Sequence, residues 1–439
     1  MTLRIDKPPF LVTADVLALI AVLYLLVRAT LQRTLVGLAA AAGGALLAAG
    51  AVWLFGDVLD LFGVELTTVT RMWVVLGGAA IGLALANLVG SQWWRKAVAG
   101  LGIALFALVA AAGINVEFGE YRNLNDALGV VPYPALSVHF EHGEVVNAGT
   151  GYAATWTGSS TAGQGAMVHG TTIPSKGEIG RVHIPGTRSG FDARDAVVYL
   201  PPAALVAHPP VLPVLYAFSG QPGAPADMFT AGRIGAYMDA FAAKHGGMAP
   251  IVVAPDQLGG PGRNPMCVNS VQFGNAATYL LVDVRRWVES HFRVSSDPAA
   301  WSVFGYSQGA TCAVQFATAH PALFGSALAA SSELGPTLGN PQRSISAGFG
   351  GSAAAFHAAQ PAAIMAASSP YRHTTIVFGV GQNDQRYTRF AHTLVAHAAR
   401  AGITTTLLVS PGSAHDWTTV RYVLAHGFPI IAARLGLTP

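Results

Sequence analysis

The chain opens with four long apolar runs, Phe10 to Val27, Leu35 to Phe55, Met72 to Val89 and Ala97 to Val116, and then breaks into short apolar pieces separated by Gly, Pro and polar residues. Each run is close to the length a helix needs to cross a hydrocarbon layer of ~30 Å, and each carries almost no charge. The pattern predicts a bundle of four transmembrane helices over 1–116. From Glu117 to about Lys176 the chain, including "GYAATWTGSSTAGQGAMVHGTT", is rich in Gly, Thr and Ser and has no helical period. That predicts a juxtamembrane linker over 117–177 with room for an irregular strand pair.

The remainder, 178–439, alternates between strand and helix patterns. "GEIGRVHIPG" and "RDAVVYLPPA" read as strands, and "VLPVLYAFSG" and "PIVVAPD" are short continuous apolar runs bounded by Gly or Pro, as strands buried on both faces are. Helical spacing covers Ala231 to Lys244 and Ala276 to Phe292, where Tyr279, Val282, Arg286 and Glu289 recur at three and four residues. Strands alternating with helices predict an α/β fold with a mainly parallel sheet covered on both sides, in one large domain.

Composition agrees with a membrane part: 52% of residues are hydrophobic and only 11% charged. Arg4 and Lys7 ahead of the first run are compatible with a cleaved signal peptide, but three further runs follow, and "LLVRATLQRT" offers no small-residue cleavage site. Trp53, Trp73, Trp93 and Trp94 fall near run ends, where amphipathic rings prefer the headgroup level. Gly78 and Gly82 form a GxxxG in the third run, and Gly37, Ala41, Gly43 and Gly50 give the second a small-residue face, which predicts close helix contact. The connections after the first and third runs carry Arg28, Arg33, Arg95 and Lys96 and no acid, whereas the connection "GDVLDLFGVELTTVTR" has one base. Positive charge marks the cytoplasmic side, so the expected location is a multi-pass plasma-membrane protein with 178–439 outside the cytoplasm, although Arg4 and Lys7 pull the other way. Outside, Cys267 and Cys312 can persist as a disulfide, the alternative being two buried thiols. The net charge of +3 is spread thinly, with no basic run, so no nucleic-acid partner is expected. The histidines show no HExxH or paired ligand spacing, so neither a metal nor another cofactor is expected.

The candidate chemistry centres on "FGYSQGATC". Gly305-Tyr306-Ser307-Gln308-Gly309 follows an apolar strand at Ser302 to Phe304 and precedes a helix to about His320, the context of a nucleophile elbow. A serine hydroxyl needs a base to take its proton and an acid to orient that base. On this fold they come later in the order acid, then His, each after a strand. "TTIVFGVGQNDQRY" supplies Asp384 and "TTTLLVSPGSAHDW" supplies His415, with Asp416 and Asp256 as alternatives for the acid. The oxyanion donors are expected to be the backbone N–H groups of Gln308 and, in the loop "LYAFSGQPGAP", of Gln221 in preference to Gly220.

These residues resemble the esterase family of the α/β-hydrolase superfamily that includes esterase D and the antigen 85 mycolyltransferases. The likeness runs from about Ile179 to Leu435 and rests on "RVHIPG…VVYLPPA", "FGYSQGATC…AHPALFGS", "GQND" and "AHDW". It implies a serine acyl-enzyme with Ser307 as nucleophile, Asp384 as acid and His415 as base, and it also implies pairing of Cys267 with Cys312. The layout is similar to multi-span actinobacterial hydrolases, which implies work on envelope lipids, aminoacyl-phosphatidylglycerol among them. For such a cationic ester Asp256 and Asp416 are the expected carboxylates. The expected partner is thus a membrane lipid or lipid-linked ester. Mycolyltransferase-like acyl transfer and a catalytically silent membrane scaffold are the alternatives.

Overall fold

The computed structural model describes residues 3–136, 143–146, 167–168 and 171–438. The chain divides into two compact units between Val131 and Pro132. Of the expected linker, 117–131 belongs with the first unit; most of the Gly/Thr/Ser-rich stretch quoted above lies outside the described residues. Two strand pieces are described in it: Glu144–Val146 pairs in parallel with Arg293–Ser295, and Met167–Val168 pairs with Thr171–Thr172.

The first unit is built on four apolar helices, α1 Pro8–Leu26, α2 Leu31–Val52, α3 Thr68–Leu88 and α4 Trp93–Phe118, each long and apolar enough to cross a membrane. A π-helical turn, Trp53–Val58, prolongs α2. The expected GxxxG is a contact point: a Cβ on Gly78 would come 2.5 Å from the Ala48 Cβ, and one on Gly82 would come 2.3 Å from the Ala40 carbonyl oxygen. On α2 the matching surface is Gly44, whose Cβ would strike the Gly78 carbonyl at 2.2 Å, rather than Gly43 and Gly50, which have open space around them. At one end of the helices Asn87 is buried and accepts from Arg28 and Arg95, while Arg95 also donates to the last carbonyls of α1 at Tyr24 and Leu25. At the other end Glu117 accepts from Thr67 and Thr70. Asp15 is an exposed carboxyl within α1, an exception to the low charge of the runs.

The second unit is an α/β-hydrolase fold around an eight-stranded sheet. Its strands are β1 Glu178–Val182, β2 Ala196–Leu200, β3 Val214–Phe218, β4 Ile251–Ala254, β5 Trp301–Tyr306, β6 Ser326–Ala330, β7 Thr375–Gly381 and β8 Thr404–Ser410. In space the order is β8-β7-β6-β5-β3-β4-β2-β1, and β2 alone runs against the rest. Strands β2 to β7 are buried along their whole length, so both faces are covered, as the continuous apolar runs require. The expected helices appear as α5 Ile234–Ala242 and as a segment from Ala276 to His291 that closes with α6 Val284–His291. Three more position the site: α7 Gln308–Ala319, α8 Gln385–Arg400 and α9 Trp417–Arg434.

Candidate active site

Ser307 stands between the C-terminal end of β5 and the first residue of α7, with φ 54° and ψ −118°. Positive φ is unfavourable for a residue with a Cβ, and it is held here because its neighbours permit nothing larger. A Cβ on Gly305 would come 2.0 Å from the Gly309 carbonyl oxygen, and one on Gly309 would come 2.4 Å from that of Ser219. Both glycines of the G-x-S-x-G are therefore required by packing. The Ser307 N–H donates to the Ala330 carbonyl at 2.9 Å, which fixes the elbow against β6.

The two loops that follow β7 and β8 bring in the partners. Gln382 N–H donates to Ser410 O and Asn383 N–H donates to Ser413 O, so the loops run side by side. His415 Nε2 lies 2.9 Å from Ser307 Oγ and its Nδ1 lies 3.0 Å from Asp384 Oδ2. Asp384 and His415 are buried, and Asp384 also caps α8 by accepting the Tyr387 N–H at 3.2 Å. The serine, base and acid thus meet in one line although they lie 108 and 31 residues apart.

The Gln308 side chain turns inward, its Nε2 3.3 Å from Cys312 Sγ, leaving its backbone N–H at the start of α7 without a protein acceptor among the described residues. Gly220 packs against the elbow, its Cβ position 3.5 Å from the Ser307 Cβ, and Gln221 follows it. The loop is braced from behind: Gln257 Nε2 donates to Ser219 O at 2.8 Å, Arg194 donates to Gly223 O at 3.0 Å, and Asp227 accepts the Ala224 N–H. Burial pushes the Asp227 carboxyl up to about 6.

The two carboxylates expected to meet a substrate amine do other work. Asp256 is fully buried, paired with Arg194 at 2.7 Å, and accepts the Leu258 N–H, so through Arg194 it steadies the loop that follows β3. Asp416 is buried, accepts the Ala414 and Thr419 N–H groups, and caps α9 directly after His415. Burial raises its pKa against the pull of those bonds. Neither presents a carboxylate to the Ser307 hydroxyl. Two aromatic residues at the centre escaped the sequence reading. The Tyr306 and Tyr387 rings lie 5.1 and 4.2 Å from the His415 ring, and the Tyr387 hydroxyl shares a hydrogen bond with Ser307. The only signal for Tyr387 was its place three residues after a helix-capping acid.

A family model described as "Putative esterase" matches residues 192–417. This chain belongs to that family. The chain is 37% identical over 281 residues to an uncharacterized protein of Corynebacterium glutamicum, a match that covers 61% of this chain and 66% of the relative, just under two thirds of its length. Among solved structures it is similar to a ferulic acid esterase at 16% identity and TM-score 0.49, covering 59% of this chain and 98% of that one. It is also similar to an S-formylglutathione hydrolase from Agrobacterium tumefaciens at 18% and 0.48, covering 60% and 98%. A third is MPT51 of Mycobacterium tuberculosis, at 18% and 0.43, covering 58% and 98%.

Cys267 and Cys312 form a disulfide, tying the segment before the Ala276–His291 helices to α7 one turn beyond Ser307. The loop closed spans 45 residues, for which chain entropy corresponds to about 3 to 4 kcal/mol. Reduction is expected to lower the thermal midpoint of the hydrolase unit by several degrees, as read by calorimetry with and without reductant. An unchanged midpoint, or two titratable thiols in protein purified from an oxidising compartment, would count against the bridge.

Proposed function

We propose that the protein is a serine ester hydrolase held in the plasma membrane by its four apolar helices, with the hydrolase unit outside the cytoplasm, and that it cleaves an ester on an envelope lipid. The observation that carries the reading is the line from Ser307 through His415 to Asp384 on a strained elbow. In this mechanism His415 Nε2 takes the Ser307 proton as Oγ attacks the ester carbonyl carbon, and Asp384 orients the imidazole and stabilises its cation. The Gln308 and Gln221 N–H groups receive the oxyanion. Collapse breaks the bond to the alcohol, which leaves with the proton from His415. Water, deprotonated by the same base, then attacks the acyl-enzyme, releases the acid and restores Ser307.

The lipid substrate follows from the coupling of this unit to apolar helices. A soluble ester needs no such attachment, whereas a lipid leaves a bilayer reluctantly, since each buried CH₂ contributes about 0.8 kcal/mol to retention. Holding enzyme and lipid at one surface raises the effective concentration of each for the other. The test is lipid mass spectrometry of envelope membranes incubated with the full chain or with Ser307→Ala. The expected result is the loss of one ester lipid and the release of its acid, with the intact protein only. Unchanged lipids alongside cleavage of short soluble esters would identify a general esterase. A new lipid ester in place of free acid would identify an acyltransferase.

A further inference from the structure

The serine, base and acid leave one polar group at their centre without a part in the reaction. Tyr387 stands in the first turn of α8, buried, and touches all three. Its N–H donates to Asp384 Oδ1 at 3.2 Å, while Oδ2 of the same carboxylate lies 3.0 Å from His415 Nδ1, so the acid that orients the base also fixes where the tyrosine leaves the helix. Its ring packs against the His415 ring, 4.2 Å between centres, and meets the Phe390 ring edge-on at 5.5 Å. Its hydroxyl bonds to the Ser307 hydroxyl.

The direction of that last bond follows from the number of protons. Ser307 has a single hydroxyl proton, and in the resting enzyme it belongs on the line to His415 Nε2, 2.9 Å away. Only lone pairs of Oγ then remain for Tyr387, so the phenol is the donor. Its proton is securely held. Burial, and after it the carboxyls of Glu333 in the loop after β6 and of Asp384, raise the phenol's pKa against the opposite pull of the Ser307 bond and of Arg386. Glu333 is kept on that side by Thr311 on α7, whose hydroxyl donates to it at 3.1 Å.

We propose that Tyr387 is a further catalytic residue, whose phenol O–H stabilises the negative charge that gathers on Ser307 Oγ as the serine attacks and again as it departs; this rests on the serine-hydrolase reading above. In acylation the O–H bond of Ser307 breaks toward His415 Nε2 while the bond from Oγ to the acyl carbon forms, and in between Oγ carries more charge than in the alcohol or in the ester. In deacylation the bond from Oγ to the acyl carbon lengthens ahead of the returning proton, and the charge reappears. A hydrogen bond to a charged oxygen is roughly twice as strong as one to a neutral oxygen, so the phenol favours both transition states over the ground states that flank them. Tyr387 keeps its proton throughout; the proton that moves is shared between Ser307 and His415.

The test compares the full-length protein in detergent with Tyr387→Phe, using hydrolysis of 4-nitrophenyl acetate and the rate of fluorophosphonate labelling at Ser307. Phe keeps the ring beside His415 and Phe390 and the backbone N–H to Asp384, and it removes the hydroxyl alone. The expected result is a fall of about tenfold to a hundredfold in kcat, in kcat/KM and in the labelling rate, with KM within about twofold. The acid limb of the kcat/KM profile, set by His415, stays at the same pH, because the imidazole keeps its partners. Replacing Tyr387 by 3-fluorotyrosine, a stronger donor of nearly the same size, is expected to label at or above the wild-type rate, and this arm does not depend on the Phe variant folding. A kcat for Tyr387→Phe within about twofold of wild type, a loss confined to KM, or a loss that comes with a displaced acid limb overturns the proposal, as does a fall of about tenfold in labelling of the 3-fluorotyrosine protein. A wild-type preparation that does not label at Ser307 overturns the serine-hydrolase reading itself, and this one with it.

Discussion

Ser307→Ala and His415→Ala are each expected to lower kcat by about 10⁶, and the double variant to lose no more than either alone. The reason is that the two atoms act as a unit: Ser307 Oγ without a base at 2.9 Å is an ordinary alcohol, and His415 without the serine has no proton to take. A residual rate of about 10³ to 10⁴ above water is expected, from substrate binding and from the proposed Gln308 and Gln221 donors. Single-turnover kinetics on a short chromogenic ester would measure all three variants. Additive losses in the double variant would mean that the side chains do not serve one step.

Asp384→Asn is expected to lower kcat by about 10⁴ while leaving KM within a few-fold. Asn keeps the size of the side chain and can still accept the Tyr387 N–H through its carbonyl, so the α8 cap survives. What changes is the group 3.0 Å from His415 Nδ1: an amide can present a donor there, which favours the tautomer that carries its proton on Nε2 and cannot accept the serine proton. Full activity in Asp384→Asn would transfer the acid's role elsewhere. Asp416 and Asp256 would be poor heirs, since each is already occupied by backbone donors or by Arg194.

Much of this was legible in the sequence because local rules and the fold agree. The elbow could be read because two glycines are forced by backbone contacts at both ends of a tight turn, and such steric demands leave a mark at fixed spacing. The order of Asp384 and His415 could be read because each follows a strand of a parallel sheet, whose C-terminal ends lie on one edge. The long apolar helices came within a few residues, as length and composition alone decide them.

What stayed hidden depends on side-chain direction. Asp256 and Asp416 both end up near the site in sequence terms, yet one is claimed by Arg194 and the other by its own helix terminus, and neither partner is visible in spacing. Gly44 rather than Gly43 meets α3 because one residue is a 100° turn on a helix, and a stripe of small residues does not say which of its members faces the neighbour. Tyr387 reaches Ser307 from α8, and Glu333 reaches Thr311 on α7 from the loop after β6, so only the assembled fold brings them together.

The most direct measurement is mass spectrometry of the protein after reaction with a fluorophosphonate. A single adduct is expected on the peptide that contains Ser307, absent in Ser307→Ala and strongly slowed in His415→Ala. Undiminished labelling of Ser307→Ala, or an adduct on another residue of the wild-type protein, would contradict the assignment of Ser307 as the nucleophile.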